Sequence, residues 1–111
     1  MILCTPVTSD GLAGGSWGRA SKVALATAAD GKILDWKEFD VGWDALHDEG
    51  TEGSHHSRVA RFLIDHNVEV VVAEHMGPGM AQMVGKLKIR TGPGARGDAR
   101  ASILTALAQL A

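Results

Sequence analysis

Val68-Glu69-Val70-Val71-Val72-Ala73 is the stretch whose reading decides the fold. It is dominated by β-branched valine, which suits a pleated surface better than a helix. A short, almost continuously apolar strand is buried on both faces, so it belongs at the centre of a sheet flanked by helices.

Towards the C-terminus, Gly77-Pro78-Gly79 opens a helix, with proline suited to its first turn. Met80, Met83 and Val84 form the apolar stripe of that helix. Residues 87–91 read as a short strand with Leu87 and Ile89 inward. Asp98 can N-cap a last helix that buries Ile103, Leu104, Leu107 and Leu110. Towards the N-terminus, residues 54–66 read as a helix with Val59, Phe62 and Leu63 inward. Asn67 ends it, because Asn tolerates the left-handed conformation that closes helices. Residues 42–53 are an acidic loop. Residues 32–41 form a strand interrupted by Asp35, Lys37, Glu38 and Asp40, a pattern that suits a sheet edge. Asp30-Gly31 is a two-residue hairpin turn joining it to residues 22–28, where Val23, Leu25 and Thr27 share a face. Residues 9–18 form a loop with four glycines, Gly11, Gly14, Gly15 and Gly18, and residues 2–8 form the first strand.

The order β-β-β-α-β-α-β-α gives an α/β domain over residues 1–111 with a five-stranded mixed sheet. A hairpin region joins a region of strand–helix alternation. Strands one, three, four and five then point the same way. The loops that follow them meet at one sheet edge, and open α/β sheets bind ligands at the carboxyl ends of their strands. That edge collects His47, His55, His56, His75 and most of the loop glycines.

Composition narrows the function classes. The chain has 111 residues, 45% hydrophobic and 22% charged, with a net charge of −2, five His and one Cys. A chain of this length buries roughly 65% of its unfolded surface, enough for a core without disulfides. The single Cys4 excludes an internal disulfide and a multi-cysteine metal knot. No apolar run reaches the ~20 residues of a membrane span. Residues 1–7 lack the basic start and the length of a signal peptide. With no global positive field to recruit nucleic acid, the expectation is a cytoplasmic protein that engages neither nucleic acid nor membrane.

Imidazole suits zinc, iron, copper and nickel, so His75 with His55 or His56 are candidate metal ligands, with Asp48, Glu49 or Met76 as additions. Adjacent helical residues sit about 100° apart, so the alternative for His55-His56 is a solvated pair at a helix start. His66, at a helix C-terminus, reads as structural. Cys4, inside the first strand, reads as a buried small hydrophobe. Gly14-Gly15-Ser16-Trp17-Gly18 matches G-x-S-x-G, but a strand follows it where a nucleophile elbow needs a helix. Gly92-Pro93-Gly94-Ala95-Arg96-Gly97 matches G-x-G-x-x-G between a strand and a helix. Arg96 and Arg100 there could favour an anion, although a plain Gly-rich turn explains the match as well. Residues 35–52 hold seven acidic side chains and residues 86–100 five basic ones. These are solvated surfaces or docking faces, with Trp17 and Trp43 as potential loop anchors.

Several of these segments together resemble the dinitrogenase iron–molybdenum cofactor biosynthesis family. The residues that carry the likeness are Pro6-Val7-Thr8-Ser9-Asp10-Gly11, Trp17-Gly18-Arg19-Ala20, residues 56–66, Val68-Glu69-Val70-Val71-Val72-Ala73, Gly77-Pro78-Gly79 and Thr91-Gly92. The resemblance implies a three-layer ribonuclease H-like fold without nuclease chemistry, and indeed Cys4 and Thr5 stand where a metal-binding Asp would be. It implies binding or carriage of iron–molybdenum cofactor or an iron–sulfur precursor, rather than an enzyme. The chain departs from the family at Glu74-His75-Met76-Gly77-Pro78, where a Gly-Gly-x-Gly-Pro step is usual.

The expected cofactor-binding residues are Gly15, Trp17, Gly18, Arg19, Gly77, Gly79, Gly92 and Gly94, and the expected metal ligands His55, His56 and His75. The expected function is a small metallocluster carrier or accessory protein, with cluster donor or acceptor proteins as partners. The alternatives are a metal-free interaction or regulatory module and a metal-dependent hydrolase with Glu74 or Asp10 as base.

Overall fold

The computed structural model describes residues 1–14, 16–46, 52–92 and 96–110. Its strands are β1 (Ile2–Val7), β2 (Lys22–Ala29), β3 (Lys32–Asp40), β4 (Val70–Val72) and β5 (Arg90–Gly92). Its helices are α1 (Trp43–Leu46), α2 (Glu52–Asp65), α3 (Pro78–Lys86) and α4 (Ala99–Leu110). The sheet order is β3-β2-β1-β4-β5. β1 pairs antiparallel with β2, and β2 antiparallel with β3. β1 pairs parallel with β4 in the register Leu3↔Val70 and Cys4↔Val71, and β4 parallel with β5.

This is the expected mixed sheet, and the valine strand lies inside it with Val70, Val71 and Val72 all fully buried. Alternation along the strands builds two cores. Cys4, Val23, Leu25 and Val71 face α2 and α3, meeting Val59, Leu63, Met80 and Val84. Leu3, Ala26, Ala28, Val70 and Val72 face α4, meeting Ile103 and Ala106. The result is the three-layer α/β arrangement.

Turn chemistry fixes the connections. Asp30 and Gly31 both adopt positive φ, 53° and 75°, as a type I′ hairpin requires. Asn67 (φ 55°) ends α2, and the Val68 N–H returns to the Leu63 carbonyl at 3.0 Å. β3 lies at the sheet edge, with a bulge opposite Thr27/Ala28.

Several expectations need correction. The fourth strand covers only residues 70–72. The fifth begins at Arg90, because Leu87, Lys88 and Ile89 are used to close α3. Leu87 is its C-cap, Lys88 is left-handed at φ 61°, and the Ile89 N–H reaches the Val84 carbonyl at 3.3 Å. That is a Schellman closure with lysine where glycine is usual. Leu104 is 40% exposed, because the buried stripe of α4 runs through Ala99, Ile103 and Ala106, about 100° away. Residues 43–46, expected as loop, form the short α1, which turns Trp43 inward.

Candidate functional site

The loops after β1, β4 and β5 are stitched together at the carboxyl edge of the sheet. Gly11, at φ 81°, lets the first loop fold back. The Ala99 N–H then donates to the Gly11 carbonyl at 3.0 Å, and the Ala13 N–H to the Gly97 carbonyl at 2.7 Å. Further along, the Trp17 N–H donates to the His75 carbonyl at 2.9 Å, and Ser16 pairs with His75 in a parallel bridge. For the loops after β1, β4 and β5 the convergence inferred from topology is therefore present as backbone hydrogen bonds.

Beside this seam lies a cavity of about 380 Å³. Ser16, Gly18 and Arg19 line it from the loop, His55 and His56 from α2, and Gly77, Pro78, Gly79 and Met80 from the start of α3. Gly77 is the N-cap residue and Pro78 opens the helix, with no side chain capping that end. The first N–H groups of a helix lack intrahelical acceptors and carry the positive end of its dipole. Among the described residues, Ser16, Arg19 and His56 bring side chains that can donate hydrogen bonds to the wall, and no carboxylate lines it. Such a donor set favours an anion.

His55 is buried. Its Nε2 lies 2.8 Å from the Gly18 carbonyl, and its Nδ1 lies 3.1 Å from the Arg58 guanidinium. A carbonyl only accepts, so Nε2 carries a proton towards Gly18, while the Arg58 guanidinium, which only donates, lies against Nδ1. The Gly18 turn is pressed from the other side by α3, since a Cβ at Gly18 would stand 3.2 Å from Met80 Cε.

The structure brings Gly18, Arg19, His55, His56, Gly77 and Gly79 together around one cavity. It separates others. His75 is exposed and joins the seam through its backbone, and its side chain does not line the cavity. No group of three His, Cys, Asp or Glu side chains among the described residues could hold a metal ion. The expected three-histidine site on His55, His56 and His75 is thus not assembled, since one ring spends both nitrogens on protein partners and another lies off the wall. Trp17 and Trp43 are core residues at 0% and 2% exposure, packed edge to face with ring centroids 5.2 Å apart, so neither is a surface anchor. Gly92 is buried away from the cavity, where an added Cβ would lie 3.3 Å from Ala106 Cβ. Gly15, Gly94, His47, Asp48 and Glu49 lie outside the described residues.

The described groups behind the anion reading at the start of α4 have protein partners, while residues 93–95 of that loop lie outside the described residues. Asp98 Oδ2 accepts the Ala101 N–H at 2.9 Å and occupies that helix end. Arg96 is held by Glu74 at 2.9 Å, and Arg100 lies over the Trp36 ring at 4.5 Å. His66 is structural, as expected: its Nδ1 lies 2.9 Å from the Phe62 carbonyl and its ring packs on Phe39 and Phe62. Burial pushes the Cys4 thiol far up, which removes any nucleophilic role. Met76 packs against the α2–α3 core. Ser16, Pro78 and Met80 are legible in sequence as turn and helix residues but not as site residues, and Arg58 has only its place one helical turn after His55 to signal it.

A family model described as dinitrogenase iron-molybdenum cofactor matches residues 1–110. Among solved structures, the apo form of the orange protein from Desulfovibrio gigas superposes with a TM-score of 0.78 at 18% identity, covering 97% of this chain and 88% of that one. A candidate dinitrogenase from Methanocaldococcus jannaschii gives 0.70 at 13% identity over 98% and 90%. A candidate NifB protein from Thermotoga gives 0.66 at 15% identity over 97% and 87%. At these identities the likeness shows the fold. No curated protein matches the chain.

Proposed function

The chain belongs to the dinitrogenase iron-molybdenum cofactor family, and from that premise we propose that it carries an anionic metallocluster, iron–molybdenum cofactor or an iron–sulfur precursor, as cargo in the cavity between α2 and α3. The family and its structural neighbours point to an accessory role around a cofactor. The specific reading is supported above all by the donors that the described residues gather on the wall. Arg19, Ser16, His56 and the open start of α3 all offer positive charge or N–H and O–H groups to one space.

An anionic cluster is stabilised by such donors without surrendering its own ligands. A bare cation would need a ligand group that the described residues do not form. His55 is committed to Gly18 and Arg58, so we assign it no direct contact with the cargo. As a carrier, the protein performs no reaction. It receives the cluster from a donor protein and passes it to an acceptor, and we place that exchange in the cytoplasm, where Cys4 remains a thiol. The interaction-module reading is weakened by the burial of Trp17 and Trp43, which removes its aromatic anchors.

The test is anaerobic incubation of the chain with isolated iron–molybdenum cofactor, desalting, and measurement of molybdenum and iron in the protein fraction. Stoichiometric retention is expected. Arg19→Glu, which replaces a wall cation by an anion, should weaken binding by about tenfold or more. Folded wild-type protein that retains no molybdenum or iron overturns the proposal.

A further inference from the structure

His55 stands on the cavity wall, yet both of its ring nitrogens are engaged by the protein. Nε2–H donates to the Gly18 carbonyl at 2.8 Å, and Nδ1 accepts from Arg58 at 3.1 Å. The ring is 2% exposed, so these bonds are shielded from water and their loss would leave buried polar groups unsatisfied.

The Gly18 carbonyl is the point where three elements grip one turn. The turn closes weakly on itself, with the Ala20 N–H 3.4 Å from the Trp17 carbonyl. From the β4 side, the His75 carbonyl takes the Trp17 N–H at 2.9 Å. From α3, Met80 fills the space that a side chain at position 18 would need. From α2, His55 holds the carbonyl itself. This turn carries Ser16, Gly18 and Arg19, the loop residues that line the cavity among the described residues. A weakly self-bonded turn keeps one shape only when its surroundings over-determine it, and His55 supplies the bond from α2.

We infer that His55 is a positioning residue rather than a metal ligand: Arg58 fixes its tautomer, and its Nε2–H holds the Gly18 carbonyl so that the Ser16–Arg19 turn forms the loop wall of the cavity. This rests on the cargo-carrier proposal for its purpose, and on the hydrogen-bond chain for its substance. It defines how the cargo is held. A cluster entering this site keeps its own ligands and meets a wall of prearranged donors, because the better-placed imidazole is already committed to the protein. A prearranged wall lowers the ordering cost of binding.

The test uses the full chain with nitrogen-15 label, in wild type, His55→Gln and His55→Leu. Gln carries an N–H near the place of imidazole Nε2, whereas Leu fills the space without a donor. Three results are expected. The wild-type ring shows the neutral tautomer protonated at Nε2, both before and after addition of isolated iron–molybdenum cofactor. The Gly18 and Arg19 amide signals move in His55→Leu and return close to wild type in His55→Gln. Cofactor affinity falls about tenfold in His55→Leu and stays within about threefold in His55→Gln.

Loss of the Nε2 proton on loading would identify a ligand and overturn the inference. So would equal losses of affinity in the two variants, or Gly18 and Arg19 amides that ignore the Leu substitution. If wild-type protein binds no cofactor, the carrier proposal fails separately, and the tautomer and amide signals of the cofactor-free protein still decide the role of His55. If His55→Leu does not fold, the wild-type tautomer and the His55→Gln arm carry the decision.

Discussion

Cys4 and His55 are both enclosed, although the sequence marks only Cys4 as buried and offers His55 as a candidate ligand. Cys4 lies in β1 against the α2–α3 core, and burial pushes its thiol far above the ordinary value of 9.0. The folded chain therefore keeps a proton that the unfolded chain releases as the pH rises past that value. Stability from this group is complete below the unfolded thiol's pKa and declines above it, by about 1.4 kcal/mol per pH unit. Urea unfolding of wild type and Cys4→Ala between about pH 8 and about pH 10.5 should show this extra decline in wild type alone. Parallel profiles for the two would contradict it. The histidines were legible as a group gathered at one edge, because topology alone brings them there. Their separate fates were not. Whether a ring nitrogen meets the Gly18 carbonyl depends on a contact 37 residues away in the chain. No spacing rule reports such contacts.

At the scale of elements, the chain is most legible where a local conformation demands a particular residue. Asp30-Gly31 and Asn67 were read correctly because left-handed backbone favours those residues. Lys88 escaped for the same reason, since lysine gives no hint that it occupies such a position. Lys88→Gly removes that strain from the end of α3. It should stabilise the chain by about 0.5–1 kcal/mol, a rise in Tm of a few degrees. A fall in Tm would show that the lysine side chain contributes more than its backbone costs. β5 and α4 approach closely at Gly92, whose φ is ordinary, so alanine there tests packing alone. With Ala106 Cβ at 3.3 Å and Val72 Cγ2 at 3.5 Å from the new methyl, Gly92→Ala should destabilise by about 1–3 kcal/mol. Thermal unfolding measures it, and an unchanged Tm would mean that α4 yields without cost.

For the whole molecule, the decisive feature is that β1, β3, β4 and β5 run in one direction, so their following loops share an edge. That much followed from element order, and the seam of backbone hydrogen bonds bears it out for the loops after β1, β4 and β5. What the order could not give is which face of the seam opens into a cavity. The cavity exists because α3 begins at Gly77-Pro78-Gly79 without a side-chain cap, and because α2 brings His55 and His56 against the Ser16–Arg19 turn. At the start of α4, by contrast, the Asp98 carboxylate caps the helix end by accepting the Ala101 N–H. Two glycine-rich helix starts of similar appearance thus have opposite electrostatic outcomes, decided by one carboxylate.

The central claim is that the donor-lined cavity at this edge is where the cluster sits. Backbone amide spectra of the nitrogen-15-labelled chain, recorded anaerobically during titration with isolated iron–molybdenum cofactor, test it most directly. The account predicts that shifts and broadening concentrate on the Ser16–Arg19 turn, on His55 and His56, and on residues 77–80. Unchanged spectra, or changes centred on the start of α4 or on the Leu104–Leu107 face, would contradict it.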